Sequence, residues 1–286
     1  MPKHATWPLF LLLFLSACTP PAKQVLSANA ILPSPPPRSP ISDWTCIPTR
    51  LTAVQTVPGA ALRGWTFRAL PNATQPIHLL FFNGNAMTID GAQTFYRALA
   101  VRGSDVTVFD YRGYGFSTGT ADVMAFRRDA LALYDSLAST GPTVVYGFSM
   151  GTAMATYVAS ERPVAGLILA GSIASAADEF PIFAHALGMS PAAIANSSPD
   201  EDATTAFDEE KLITRSSAPL LMIHGEADSL VPIQQGRAIF AASLSPRKRF
   251  VPVPGAAHNE TIESPTALQA VRDFLGSIQV APATHK

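Results

Sequence analysis

Tyr146-Gly147-Phe148-Ser149-Met150-Gly151 is the stretch from which the rest of the chain can be read. The apolar run 143–146 before it has the composition of a buried strand. Residues 150–160 after it, with Ala153, Ala155 and Ala159, have that of a helix able to lie close to a sheet. Gly147 and Gly151 stand two residues to either side of Ser149, where the turn holds the serine in a strained conformation and strand and helix pass too close for a Cβ. A serine so placed is pushed into solvent at the start of a helix. The five-residue pattern also recurs by chance, so the reading rests on its setting, a β-rich run that stops at the serine and an alanine-rich helix that begins there.

Working outward, strands and helices alternate. Residues 51–57 and 62–69 read as two antiparallel strands joined at Pro58-Gly59. Buried strands follow at 77–82, 106–109, 165–170 and 219–224 and a last strand at 249–253, with helices at 90–101, 121–139, 234–243 and 265–275. This order predicts an α/β fold with a mainly parallel, doubly wound sheet. Between it, residues 171–218 form an insertion with weaker periodicity, Pro181, Pro191 and Pro199, placed to be a small lid. Its acidic cluster, Asp200, Glu201, Asp202, Asp208, Glu209 and Glu210, reads as a solvated face.

A serine hydroxyl needs a base to take its proton as it attacks, and the base needs a carboxylate to hold its tautomer. His224-Gly225-Glu226-Ala227-Asp228 places Asp228 in the loop after one buried strand, and Pro254-Gly255-Ala256-Ala257-His258 places His258 in the loop after the next. The order Ser149, Asp228, His258 is that of a strand–turn–helix nucleophile with its partners downstream. Asp178 also follows a strand but lacks that loop context. Of the six histidines, His4, His78, His185, His224 and His285 fall in the leader, in strands, in the lid or in the tail.

On these residues, together with Asn83-Gly84-Asn85-Ala86 and Asp110-Tyr111-Arg112-Gly113-Tyr114-Gly115, the chain from about 51 to 278 resembles the small single-domain α/β-hydrolases of the esterase, monoacylglycerol-lipase and acyl-protein-thioesterase type. The resemblance implies the α/β-hydrolase fold over residues 46–280, with the lid at about 171–218. It further implies a serine hydrolase that cleaves carboxylester or thioester bonds through an acyl-enzyme. The oxyanion would be held by the backbone N–H groups of Asn85 and Met150. Where the family carries a histidine before the glycine, this chain has Asn83. Arg112 reads as a brace for its loop, with a contact to substrate as the alternative. Neighbouring readings are a serine aminopeptidase-like hydrolase, sharing the same three residues, and a membrane-tethered binding protein without turnover.

With 48% hydrophobic and 14% charged residues in 286, one compact domain is expected. A net charge of −1, with no basic stripe, gives nucleic acid no purchase. Phosphate-cradle and zinc motifs are absent, so neither a metal nor a cofactor is expected, and the partner expected is a small acyl-ester substrate met by a monomer. At the N-terminus, Lys3 and the apolar run 9–17 read as a secretory signal over residues 1–17, too short to span a bilayer. Leu15-Ser16-Ala17-Cys18 resembles a bacterial lipobox, which implies cleavage before Cys18, its lipidation, and a lipid-anchored place in the cell envelope; Thr19 favours the outer membrane. Residues 18–45, rich in proline, read as an extended spacer that does not pack, and residues 281–286 as a tail. Cys46 is then left as an unpaired thiol.

Overall fold

The computed structural model describes residues 23–32, 49–69, 77–100 and 104–278. The signal, Cys18, Cys46 and the tail lie outside these residues. The described chain runs through β1 (Gln24–Leu26), a 3-10 turn (Ala28–Ile31), β2 (Thr49–Val57), β3 (Ala60–Phe67), β4 (His78–Phe82), α1 (Ile89–Ala100), β5 (Asp105–Phe109), α2 (Val123–Ala138), β6 (Thr143–Phe148), α3 (Met150–Glu161) and β7 (Gly166–Ala170). The insertion then folds as α4 (Ala176–Ala186), α5 (Pro191–Ala195), β8 (Ser197–Pro199), α6 (Glu201–Ala206) and α7 (Glu209–Ile213). The chain closes with β9 (Leu220–Gly225), α8 (Ile233–Ala242), β10 (Lys248–Val253), α9 (Glu260–Glu263) and α10 (Pro265–Ser277).

Eight strands form one sheet in the order β10-β9-β7-β6-β4-β5-β3-β2. Only the β2–β3 and β3–β5 pairings are antiparallel. The central strands are apolar on both faces because both faces are covered. Leu79 and Phe81 of β4, with Tyr146 and Phe148 of β6, pack toward α1 and α10. Leu80 and Phe82, with Val145, pack toward α2 and α3. The result is a three-layer α/β/α sandwich, as the alternation of elements requires. Helix α2 begins at Val123 rather than 121 because Asp122 is extended and its carboxylate accepts from the N–H of Ala125, a side-chain N-cap.

One part of the spacer reading is overturned. Residues 24–32 are not an unpacked leash: β1 pairs in parallel with β8 of the insertion, and Ala28 is buried in the main core cluster. The proline-rich composition on either side concealed a short segment whose partners lie elsewhere in the chain.

Candidate active site

Three strand ends deliver the three side chains read from the sequence. Ser149 occupies the sharp turn between β6 and α3 with φ 52 and ψ −124, a left-handed setting that a non-glycine residue holds only when its surroundings impose it. Those surroundings are explicit. The Ser149 N–H donates to the Ala170 carbonyl at 2.9 Å, and the Ser149 carbonyl accepts from the Thr152 N–H at 2.8 Å. A Cβ on Gly151 would come within 2.6 Å of the Asn83 carbonyl oxygen, and one on Gly147 within 2.6 Å of the Thr152 Cα. The glycines therefore permit the close strand–helix passage that the pattern predicted.

Asp228 follows β9 and His258 follows β10. His258 Nε2 lies 2.8 Å from Ser149 Oγ, and its Nδ1 lies 2.7 Å from Asp228 Oδ2. The carboxylate, which only accepts, requires the proton on Nδ1 and leaves Nε2 as an acceptor facing the hydroxyl. Asp228 Oδ1 is occupied by the N–H groups of Leu230 (3.1 Å) and Val231 (2.8 Å), which fix the carboxylate's rotation. The imidazole lies against the ring of Phe148, centroids 5.1 Å apart. Gly171, at φ 60, faces it so closely that an added Cβ would sit 3.0 Å from His258 Cε1. Nothing in the local sequence marks this glycine, which opens the insertion just after β7.

His224, at the end of β9, is fully buried, and its Nε2–H donates to the Val231 carbonyl at 2.8 Å. Burial holds its imidazole below the ordinary value, so the ring is neutral beside Asp228, 3.7 Å away, and leaves the carboxylate's charge to His258. Asp178 is elsewhere, at the start of α4, with its carboxylate accepting from Ser175 Oγ.

Asn85 lines the same cavity as Ser149, and Met150 opens α3 with its N–H at the helix N-terminus. The loop before Asn85 is braced from within. Buried Asn83 accepts through Oδ1 from Tyr96 OH at 2.7 Å, and its carbonyl accepts from Tyr111 OH at 2.8 Å. Asn83 thus has two aromatic hydroxyls holding its side chain and its backbone. Arg112 turns away from the cavity into a buried two-pronged pair with Asp129, at 2.7 and 2.6 Å, as a brace for its loop.

The acidic cluster contains an exception to the solvated reading. Glu209 is fully buried under α3, where Thr152 Oγ1 lies 2.6 Å from its Oε1 and Thr156 Oγ1 lies 3.1 Å from its Oε2. Thr152 Oγ1 is also 2.6 Å from the Ser149 carbonyl. One hydroxyl proton cannot serve two pure acceptors, and the carbonyl can only accept. The arrangement closes if Glu209 carries its proton and donates to Thr152, which donates to Ser149. Burial pushes the Glu209 carboxyl up to about 8 from its ordinary 4.5, against the hydrogen bonds that its ionised form would accept from Thr152, Thr156 and the Ile173 N–H. The sign follows from linkage. The folded state keeps this proton where the unfolded state releases it, so the contribution to stability is complete below 4.5 and is lost as pH rises through 8. Among the described residues no charged group contributes to this shift: α3 carries Glu161, paired with Arg215, α8 carries Arg237, over the Phe250 ring, and Asp208, Glu210 and Lys211 flank Glu209 on its own segment. We therefore expect Glu209→Gln, which mimics the protonated acid, to lose less melting temperature than the wild type between about pH 5.5 and about pH 8.5. Equal losses in a thermal-shift series would contradict the neutral assignment.

Above Ser149 lies a cavity of about 320 Å³ whose walls are almost wholly apolar, including Ile173, Phe180, Phe183 and Phe207 of the insertion. Among the described residues Glu179 is the one ionisable side chain in that wall. Its Oε2 accepts from Gln235 Nε2, and its other oxygen is buried without a hydrogen-bond partner among the described residues. Burial pushes its carboxyl up to about 8, against the Gln235 hydrogen bond. Among the described residues no group of three or more His, Cys, Asp or Glu side chains converges as a metal site would, and no helix is long and apolar enough to cross a membrane.

Residues 77–189 match the family described as the alpha/beta hydrolase fold. An uncharacterised protein of Mycobacterium tuberculosis is 30% identical over 267 residues, spanning 90% of this chain and 84% of that protein. The lysophosphatidylserine lipase ABHD12 of Macaca fascicularis is 29% identical over 223 residues, spanning 69% of this chain and 55% of the lipase, so the match takes in a little over half of that relative. Among solved structures, the Pyrococcus furiosus esterase Pf2001 superposes with a TM-score of 0.68 at 18% identity, over 87% of this chain and 98% of the esterase. A monoacylglycerol lipase of Paleococcus ferrophilus does so with 0.58 at 20%, over 76% and 99%. At these identities the two superpositions speak for the fold.

Proposed function

Because this chain belongs to the α/β-hydrolase family, we propose that it is a serine hydrolase that cleaves ester-type bonds, carboxylester or thioester, of single-chain acyl compounds. The observation that carries the reading is the unbroken run of hydrogen bonds from Asp228 through His258 to Ser149 Oγ. Ser149 Oγ attacks the acyl carbonyl carbon while His258 Nε2 takes its proton, and the Asp228 carboxylate stabilises the imidazolium. The oxyanion of the tetrahedral intermediate accepts from the N–H groups of Met150 and Asn85. Collapse breaks the bond to the leaving group, which takes the proton from His258. Water then repeats the sequence, releasing the carboxylic acid and restoring the serine.

Two further observations favour a single acyl chain. The apolar cavity, at about 320 Å³, lies at the small end of the range for ligand pockets, roughly 300–1,000 Å³, which suits one chain better than two. The relative named as a lysophosphatidylserine lipase is named for a lipid with one acyl chain. The test is fluorophosphonate labelling of the pure protein, followed by p-nitrophenyl esters, acyl thioesters and aminoacyl amides under one set of conditions. Labelling with ester or thioester turnover above amide turnover is the expected result. Faster amide turnover would move the chain to the peptidases that share these residues. Absence of both labelling and turnover would leave a binding protein.

A further inference from the structure

The insertion accounts for only part of the wall above Ser149. Leu26, Ala28 and Leu32, from the segment that precedes the sheet, face the same cavity, and Ala28 is buried there. The segment is held by specific bonds as well as by apolar contact. On one side, the Gln24 N–H donates to the Asn196 carbonyl at 2.6 Å and the Leu26 carbonyl accepts from the Asp200 N–H at 2.9 Å, as β1 pairs with β8. On the other side, Asn29 completes the start of α2: its Oδ1 accepts from the Val123 N–H at 2.9 Å and its Nδ2 donates to Asp122 Oδ2 at 3.1 Å. Asp122 uses its second oxygen to cap the Ala125 N–H. One amide therefore meets both an orphan helix N–H and the capping carboxylate, a match of donor and acceptor that a merely adhering linker does not make.

We propose that residues 26–32 are a specificity-determining wall of the acyl site, pinned by Asn29, so that the acyl chains accepted at Ser149 are selected partly by the segment leading into the domain. The proposal rests on the ester-hydrolase reading above. The side chains carry the assignment. Ala28, small and inward in the 3-10 turn, leaves room for the substrate, whereas Val25, on the short strand just before it, is 62% exposed and points away. A bulky side chain at 28 occupies substrate volume, and the same side chain at 25 does not.

The experiment uses the full chain and measures kcat/KM for p-nitrophenyl decanoate relative to p-nitrophenyl acetate in the wild type, Ala28→Trp, Asn29→Ala and Val25→Trp. Binding of cis-parinaric acid, a fluorescent fatty acid, is followed in the same proteins. Ala28→Trp is expected to lower the decanoate-to-acetate ratio by about 10-fold or more, the scale set by one or two methylenes in an apolar pocket, and to weaken parinaric acid binding. Asn29→Ala, which unpins the wall without filling the cavity, lowers the ratio by a smaller factor and guards against a misfolded Ala28→Trp. Val25→Trp keeps the wild-type ratio. Ratios within about twofold of wild type for both Ala28→Trp and Asn29→Ala would overturn the proposal, as would an equal fall in Val25→Trp. If no ester is turned over by any protein but parinaric acid binding is lost in Ala28→Trp alone, the wall stands and the ester-hydrolase reading falls.

Discussion

Ser149→Ala is expected to lose about 10⁴–10⁶-fold in kcat toward p-nitrophenyl esters, together with all fluorophosphonate labelling, while keeping the wild-type melting temperature within a few degrees. The activity loss follows because, among the described residues, Ser149 Oγ is the hydroxyl at His258 Nε2, 2.8 Å away. The unchanged stability follows from what the hydroxyl does not do. It makes no capping bond to α3, and the bonds that hold the turn, to Ala170 and Thr152, are backbone bonds of residue 149 that alanine keeps. Alanine at φ 52 is as strained as serine, so the substitution neither relieves nor adds backbone cost. The two readouts must separate for the assignment to hold. A variant that still labels has its nucleophile elsewhere, and one that loses both activity and its folding transition says nothing special about the hydroxyl.

The elements that could be read from sequence share a physical trait. Strands β4, β6, β7 and β9 are buried, so each is a nearly continuous apolar run, and Ser149 and Asp228 follow two of them beside glycines whose closeness to neighbouring backbone is measurable, whereas His258 follows the edge strand β10, whose Lys248, Arg249 and Pro252 are exposed. Local composition carries that information. It does not carry the fate of Glu209. Six carboxylates crowd residues 200–210, and what singles out one is Thr152 and Thr156, four apart on one face of α3 and more than fifty residues away. Residues 24–32 were hidden for a similar reason. A three-residue strand has no periodicity of its own, and its partner β8 is equally short, so the pairing exists only in three dimensions.

Asp228→Asn is expected to lower kcat/KM by about 10⁴-fold with little change in folding, and the local hydrogen bonds give the reason. The N–H groups of Leu230 and Val231 both point at Oδ1 of residue 228. They require an acceptor, so an asparagine there must place its carbonyl oxygen toward them and its NH₂ toward His258. The amide then donates to His258 Nδ1, which must become the acceptor, and the ring proton moves to Nε2. A protonated Nε2 cannot receive the hydroxyl proton of Ser149, so the base is present, in position and in the wrong tautomer. His224 offers no rescue: its Nε2–H is committed to the Val231 carbonyl and its ring is neutral. The loop keeps its two backbone bonds, so thermal unfolding should match the wild type while ester hydrolysis collapses. The imidazole proton signal in NMR spectra of the resting protein should move from the Nδ1 to the Nε2 position. A variant retaining more than about a tenth of wild-type kcat/KM would show that the carboxylate is a structural cap on the loop and no part of the proton path.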